Sequence, residues 1–270
     1  MTDTGHTLIF DCDGVLSDTE RFGHLRAFNA AFAELDIPMR WSEDDYASLV
    51  RIGGGKERIA AALTDRRPKG SIGGGEPFDD LVPRIHRVKT EIYRALVADG
   101  VMPPRPGIAR LIHAALASGW QVAVASTSAP ESVRSVVDSV VGHETGSRIP
   151  IFAGDMVPAK KPAPDIYLLA MAQLGANADT TVVVEDSEVG MRAAVSAGLA
   201  CIVTPSSYTL AEDFTAAAAV VSSLGDDGDP TTVLSDPLGV GFGDVVDTNA
   251  LRRLLDLRRR SLTSTHREHR

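Results

Sequence analysis

The chain has 270 residues, of which 44% are hydrophobic and 23% are charged, as in a soluble globular protein with one large domain or with a core and an insert. Its formal net charge of −9 disfavours a nucleic-acid-binding surface. No apolar run approaches the roughly 18 residues of a membrane span, and residues 1–7 lack a basic apolar leader, so we expect a cytoplasmic protein that binds neither nucleic acid nor membranes.

The first predicted elements are one strand and a set of helices. Residues 8–10 form a short apolar run that predicts a buried strand. Apolar side chains at spacings of three and four predict an amphipathic helix over residues 19–35. Residues 43–64 and 79–98 also have helical spacing, with a run of three glycines inside the first of them. The Gly- and Pro-rich stretch 66–77 between them predicts a surface loop.

From residue 104 onward, predicted strands alternate with predicted helices, which is the pattern of a parallel sheet with right-handed crossovers. The predicted fold class is therefore α/β, a doubly wound parallel sheet formed by residues 1–18 and 104–226, with a helical cap of residues 19–103 inserted after the first strand. Residues 227–270 form a C-terminal extension, and its last twenty residues predict a basic helix that docks through its leucines. The predicted helices are 107–118, 130–141, 164–174 and 188–197, and the predicted strands are 122–125, 151–153, 181–184 and 200–203, with the last strand near 220–221.

Two acids flank one residue at the end of the first predicted strand. Asp11 and Asp13, followed by Gly14, stand at the strand's carboxyl end, where α/β sheets carry their ligand sites. One carboxylate can act as a nucleophile, and a second can protonate a leaving oxygen and later activate water. The alternative for this pattern alone is a turn in which an aspartate caps the strand end, but the apolar strand before it favours a functional site.

A second pair of acids, Glu185 and Asp186, follows the predicted strand 181–184. Beside the first pair, they would bring three or more carboxylates to one sheet edge, and such a cluster needs a cation. Mg²⁺ prefers carboxylate, carbonyl and water oxygens of this kind. The alternative is the N-cap of the following helix, but a cap needs one such residue and not a pair matched by another pair upstream.

A lysine and a serine complete the candidate site. Lys161 is one of only five lysines against 22 arginines, and it can balance the acids and hold a phosphoryl oxygen. Taken alone, it is typical of a surface loop in which a proline opens a helix. Ser126 follows the predicted strand 122–125, where hydroxyl and amide groups suit phosphate oxygens. Taken alone, it is typical of a helix N-cap.

In combination, these four motifs resemble those of the haloacid dehalogenase superfamily of phosphotransferases. The resemblance implies a Rossmann-like core, with Asp11 as the nucleophile that becomes an aspartyl-phosphate and Asp13 as the general acid and base. It also implies that Ser126 and Lys161 hold the phosphoryl group. The implied Mg²⁺ ligands are the side chains of Asp11, Glu185 and Asp186 and the carbonyl of Asp13.

The cap segments resemble the CbbY-type branch of this superfamily. The similar segments include IFDCDGVLSDTERFGH, RIGGGKERI and HRVKTE, and the resemblance extends from about residue 7 to residue 226. Members of this branch dephosphorylate xylulose 1,5-bisphosphate, an inhibitor of Rubisco, to xylulose 5-phosphate. The alternative for each cap residue is a solvated charge or a contact between cap and core. The resemblance assigns to the substrate Glu20, His24, Tyr46, Arg51, Gly54, Gly55, Lys56, Lys89, Thr127 and Ser128.

The sequence therefore predicts a Mg²⁺-dependent sugar-bisphosphate phosphatase, which we expect to be a monomer. One alternative is a β-phosphoglucomutase or a general sugar-phosphate phosphatase with the same fold. The other is a non-catalytic phosphate-sensing protein. The presence of Asp11 and Asp13 together with Lys161 argues against that last alternative, because an idle site has no use for such costly charged groups.

Overall fold

The structure, a computed structural model, describes residues 5–65, 77–100 and 102–268, so most of the predicted loop 66–77 lies outside the described residues. One sheet runs through the described chain, and its strands are β1 (Thr7–Phe10), β2 (Gln121–Ser126), β3 (Ile151–Ala153), β4 (Thr181–Glu185), β5 (Ala200–Val203), β6 (Ala219–Val221) and β7 (Val233–Ser235). Their order is β3-β2-β1-β4-β5-β6-β7. Neighbouring strands are parallel from β3 through β6, and β7 is antiparallel to β6. The predicted α/β fold with a mostly parallel sheet and a helical insert is confirmed.

β1 lies in the interior of the sheet because it is apolar on both faces. Leu8, Ile9 and Phe10 are fully buried, as expected of a parallel strand that is covered by helices on both sides. Phe10 is in register with Val124 of β2 and with Val184 of β4. The carboxyl ends of these three strands therefore lie at one edge of the sheet, where ligand sites of α/β proteins form.

The described part of the cap consists of a π-helical turn (Glu20–His24) and the helices α1 (Leu25–Glu34), α2 (Glu43–Leu49), α3 (Gly55–Asp65) and α4 (Phe78–Ala98). Its interior is a buried cluster with aromatic rings at its centre. Phe28 and Phe32, one turn apart on α1, both contact Trp41, and Trp41 contacts Tyr46. The cap thus has its own hydrophobic core, separate from the two layers that cover the sheet.

The core helices begin and end within one residue of the predicted positions, except for one short helix (His143–Gly146) that was not predicted. They are α5 (Ile108–Ala117), α6 (Pro130–Val141), α7 (His143–Gly146), α8 (Asp165–Leu174) and α9 (Glu188–Ser196), followed by α10 (Thr248–Glu268) at the C-terminus. None of the described helices has the length and apolarity that crossing a bilayer requires.

The C-terminal segment completes the sheet, which corrects the prediction that the strand near 220–221 is the last one. β7 follows it and pairs with β6. This strand has three residues, all exposed, so it lacks the alternation of buried and exposed side chains by which a strand is recognised. α10 docks through Leu251, Leu254 and Leu255, which are buried as expected.

Two connections join the cap to the core, and hydrogen bonds from Ser17 and Arg105 hold them at the carboxyl edge of the sheet. The Ser17 hydroxyl donates to the Pro103 carbonyl at 2.8 Å, which ties the outgoing connection to the returning one. The Arg105 guanidinium donates to the carbonyls of Gly14 at 2.5 Å and Thr204 at 2.6 Å. It therefore anchors the turn after β1 to the segment after β5, directly beside the carboxyl edge of the sheet.

Candidate active site

The candidate site surrounds a cavity of about 250 Å³ between the carboxyl edge of the sheet and the cap. Asp11 and Asp13 lie in the turn after β1, and Glu185 and Asp186 lie at the end of β4. All four of these acids line the cavity. The π-helical turn, the start of α3 and the middle of α4 supply the opposite wall. The topology thus brings together motifs that are more than 170 residues apart in the chain.

Three buried carboxylates lie together at the carboxyl edge, and one ammonium group pairs with two of them. Asp11, Glu185 and Asp186 offer oxygens that lie within 4.8 Å of one another. Lys161 Nζ donates to Asp11 Oδ1 at 2.5 Å, to Glu185 Oε1 at 2.7 Å and to the Ala125 carbonyl at 2.9 Å. When all three acids are ionised, the cluster carries an excess of negative charge away from solvent.

The pKa values reflect this excess. Burial raises the pKa of Asp11 to about 8, although the neighbouring Lys161 ammonium acts to lower it. Burial, with the charges of Asp11 and Glu185 nearby, raises the pKa of Asp186 well above its usual range. A divalent cation would supply the missing positive charge, and a set of carboxylate oxygens fits a hard ion of that kind.

Two glycines allow the acids to pack this closely. Gly14 has a φ of +79°, and a Cβ there would lie 2.1 Å from Asp186 Oδ2. Gly190, in α9, has the same relation to Glu185, because a Cβ there would lie 2.1 Å from Glu185 Oε2. The sequence indicated Gly14 as a turn residue but gave no signal for Gly190, whose role depends on the packing of α9 against β4.

Asp13 is held by three hydrogen-bond donors. Thr19 Oγ1 lies 2.7 Å from Asp13 Oδ1, Ser128 Oγ lies 2.5 Å from Oδ2, and His24 Nε2 lies 2.9 Å from Oδ1. Burial acts to raise the pKa of Asp13, but His24 and the hydroxyl donors outweigh it and hold the pKa well below its usual range. Asp13 is therefore a carboxylate in this arrangement, which is the form that can act as a base.

His24 connects Asp13 to a buried lysine of the cap. Lys89 Nζ lies 2.6 Å from His24 Nδ1, and the imidazole stacks on Tyr93 with ring centroids 4.2 Å apart. An ammonium group only donates, so Lys89 fixes Nδ1 as the acceptor and leaves the Nε2 proton for Asp13. Burial lowers the pKa of Lys89 to about 8. A continuous hydrogen-bond chain thus runs from the cap to the core carboxylate.

Glu20, assigned to the substrate from sequence, is engaged by a neighbour that the sequence analysis did not assign. Arg58 donates to Glu20 through both terminal nitrogens, at 3.0 and 3.1 Å. The Tyr46 hydroxyl also donates to Glu20, and it accepts from Arg58 at 2.7 Å. The only signal for Arg58 was that Glu20 would need a counter-ion if it were buried.

Two predicted site residues lie behind the cavity wall. Tyr46 is fully buried in the cap cluster, and Ser126 is 2% exposed, with its hydroxyl accepting from the Ser128 amide at 3.1 Å. Neither belongs to the walls formed by the described residues. The other predicted site residues all line the cavity, and so do several that were not assigned, among them Arg58, His86, Lys160, Ser206 and Thr209.

Comparisons with known proteins agree with the resemblance drawn from the motifs. A model of the haloacid dehalogenase-like hydrolases matches residues 6–198. The chain is 44% identical to a CBBY-like protein of Arabidopsis thaliana over 84% of this chain and 71% of that protein. It is 41% identical to the protein CbbY of Cereibacter sphaeroides, over 82% and 93% of the two chains. A crystal structure of a CbbY variant from Rhodobacter sphaeroides in complex with xylulose (1,5)-bisphosphate matches with a TM-score of 0.73, 41% identity, and coverage of 81% of this chain and 94% of that one.

Proposed function

Because the chain belongs to the haloacid dehalogenase-like hydrolases and is a CbbY-like member of them, we propose that it is a Mg²⁺-dependent phosphatase that converts xylulose 1,5-bisphosphate to xylulose 5-phosphate. One observation carries the proposal. A single cavity has a carboxylate triad that includes the proposed nucleophile on its core side and several cationic side chains on its cap side. That arrangement suits a substrate with a phosphate at each end.

Asp11 is the proposed nucleophile. Its carboxylate oxygen attacks phosphorus in line, forming an aspartyl-phosphate while the bond from phosphorus to the sugar oxygen breaks. Lys161, already 2.5 Å from Asp11, offsets the charge on the phosphoryl oxygens. Thr127 lies at the cavity wall after β2 and can donate to the same oxygens, while its neighbour Ser128 donates its hydroxyl to Asp13. Buried Ser126 would act from behind, by accepting from the Ser128 amide.

Asp13 is the proposed general acid and base. It is a carboxylate without substrate, and a dianionic phosphate placed beside it raises the pKa of its carboxyl. The proton it then needs can pass from Lys89 through His24, because each is hydrogen-bonded to the next. Asp13 gives that proton to the departing sugar oxygen and then, as a base, activates the water that hydrolyses the aspartyl-phosphate.

Asp11, Glu185 and Asp186 would hold Mg²⁺, with the Asp13 carbonyl as a further protein ligand. When bound, Mg²⁺ supplies the positive charge that offsets the buried carboxylates and the charge of the transferred phosphoryl group. This assignment is supported by the buried triad, whose carboxylates carry more negative charge than Lys161 balances. Each of the three offers one oxygen as a metal ligand, and these oxygens lie within 4.8 Å of one another.

The cap side of the cavity is the proposed site of the second phosphate. Arg51 and Lys56 flank the glycine run at the start of α3, and both line the cavity with exposed side chains. His86 lies next to Gly55, and burial together with nearby Lys89 lowers the pKa of His86 to about 4. Backbone amides and cations at one loop are a suitable cradle for a phosphate group.

The test is orthophosphate release with Mg²⁺ from a panel of xylulose 1,5-bisphosphate, ribulose 1,5-bisphosphate, fructose 1,6-bisphosphate and β-glucose 1-phosphate. We expect kcat/KM for the first to exceed the others by orders of magnitude, and we expect a chelator to abolish turnover. Comparable turnover of all four would instead indicate a general sugar-phosphate phosphatase. Isomerisation of β-glucose 1-phosphate without orthophosphate release would indicate a mutase, and no turnover by the folded protein would indicate a sensing role.

A further inference from the structure

A lysine next to the proposed catalytic lysine contacts the cap. Lys160 Nζ lies 2.9 Å from Glu57 Oε1, in the first turn of α3. Among the residues that the structure describes, its other ion-pair partner is Asp155, on its own side of the cavity, at 3.5 Å. Lys160 and Glu57 both line the cavity. The ion pair therefore bridges the cavity mouth, from the core segment that carries Lys161 to the cap loop that carries the glycine run.

The glycine run is shaped around this ion pair. Gly54 has a φ of +97°, and a Cβ there would lie 2.1 Å from Glu57 Oε2 and 3.1 Å from Lys160 Nζ. A side chain at residue 54 would displace the carboxylate and strain the backbone. The loop conformation, the Glu57 carboxylate and the Lys160 ammonium are thus mutually dependent, although they belong to different parts of the molecule.

We propose that Lys160 and Glu57 are positioning residues, which hold the loop of residues 51–56 over the cavity so that its amides and cations meet the distal phosphate of the substrate. The inference rests on the proposed function for the identity of that phosphate. Lys160 acts here through Glu57 and not as a ligand of the substrate. The pair of Lys160 from the core and Glu57 from the cap bridges the cavity mouth. Because the two charges cancel, the pair adds no net positive charge for the substrate.

The rival interpretation is that Lys160 itself binds the substrate, and the two make opposite predictions for Glu57. If Lys160 binds substrate directly, replacing Glu57 frees the ammonium and removes a negative charge near an anionic ligand, so KM stays the same or falls. If the ion pair positions the loop, Glu57→Gln and Lys160→Met have the same effect. Their effects are also not additive, because either substitution already breaks the pair.

The experiment is a double-mutant cycle with Glu57→Gln, Lys160→Met and the double variant, using xylulose 1,5-bisphosphate and p-nitrophenyl phosphate, which has only one phosphate. For a partly exposed ion pair we expect each single variant to raise KM for the bisphosphate about threefold, with the double variant no worse. Turnover of p-nitrophenyl phosphate stays unchanged. The difference in KM for the bisphosphate between the wild type and the variants becomes smaller at 0.5 M salt, because salt screens partly exposed charges.

The matched control is Glu131→Gln. Glu131 of α6 pairs with Arg94 of α4 at 3.4 Å, so it also joins core to cap, but it lies outside the described cavity wall. We expect this variant to leave KM unchanged. An equal effect of Glu131→Gln would overturn the proposal in favour of general cap attachment, and additive effects in the cycle, or a change in Lys160→Met alone, would favour direct binding.

Hydrogen exchange separates this inference from the proposed function. Without substrate, we expect the amides of residues 53–56 to exchange faster in Glu57→Gln and in Gly54→Ala than in the wild type, whatever sugar phosphate the enzyme prefers. If the amides of residues 53–56 exchange at the wild-type rate in both variants, the positioning role is refuted, even if xylulose 1,5-bisphosphate is the substrate. Faster exchange with no preference for that bisphosphate leaves the ion pair standing and removes only the substrate assignment.

Discussion

The carboxyl edge of the sheet and the interior of the cap each bury charged side chains, but they balance them differently. At the sheet edge, three carboxylates lie together, and the Lys161 ammonium pairs with two of them, Asp11 and Glu185. In the cap, one carboxylate, Glu20, receives both terminal nitrogens of Arg58 and the Tyr46 hydroxyl. The first group is incomplete without a cation and a substrate. The second is complete within the protein.

This difference separates groups held for chemistry from groups held for structure. An unbalanced buried cluster destabilises the empty protein and persists only where ligands complete it. A buried acid that is paired with an arginine and a tyrosine adds little to catalysis, but breaking that pair costs a great deal of stability. The same residue types therefore predict opposite consequences when they are replaced in the two regions.

The largest expected effect is on activity, in Asp11→Asn. Removal of the proposed nucleophile lowers kcat by about 10⁴-fold or more. In the metal-free protein, the melting temperature stays the same or rises, because burial beside other carboxylates already disfavours the charged form of Asp11, and asparagine has no charge to bury. Orthophosphate release with Mg²⁺ measures the loss of kcat, and calorimetry with a chelator measures the melting temperature of the metal-free protein. A large loss of stability in the metal-free protein would mean that the carboxylates at the sheet edge are already balanced by protein charges, as Glu20 is in the cap.

The cap pair gives the largest expected effect on stability. Arg58→Met leaves the Glu20 carboxylate buried without its partner, and breaking a buried pair in this way lowers the free energy of unfolding by about 3–5 kcal/mol. Urea denaturation measures the loss. The double variant Glu20→Gln/Arg58→Met recovers most of it, because no unpaired charge remains. A double variant as unstable as Arg58→Met would show that packing, and not charge balance, dominates this region.

Lys89 sharpens the comparison, because it is a cap group whose described hydrogen-bond partner is the imidazole of His24 and not a carboxylate. Its pKa falls from 10.5 to about 8 through burial. The unfolded chain therefore binds more protons between these pH values, so stability rises with pH across that window. The gain from this group is about 3 kcal/mol. Urea denaturation between pH 7 and 10 measures the free energy of unfolding of the wild type and of Lys89→Met, and we expect only the wild type to show this rise. If the free energies of the two proteins change with pH in parallel, Lys89 is not the source of the rise.

Much of the fold and of the sheet-edge site follows from local sequence. Asp11, Asp13 and Glu185 come at or directly after apolar strands, and parallel strands bring their carboxyl ends to one edge. The proton chain and the cap pair could not be derived in this way. Arg58 meets Glu20 across 38 residues of chain, through helix packing that no local spacing encodes. β7 was missed because a three-residue exposed strand carries no pattern.

Tyr46→Phe gives the smallest expected effect and separates the two kinds of residue most finely. The sequence assigns Tyr46 to the substrate, but its side chain is fully buried and lies behind the described cavity wall. Phenylalanine keeps the aromatic packing but removes the hydrogen bond to Glu20 and the one accepted from Arg58, a loss of about 2 kcal/mol for bonds to charged groups. We expect this loss in urea denaturation with KM unchanged. A rise in KM without a loss of stability would mean that the Tyr46 hydroxyl contacts the substrate and does not serve mainly to stabilise the cap.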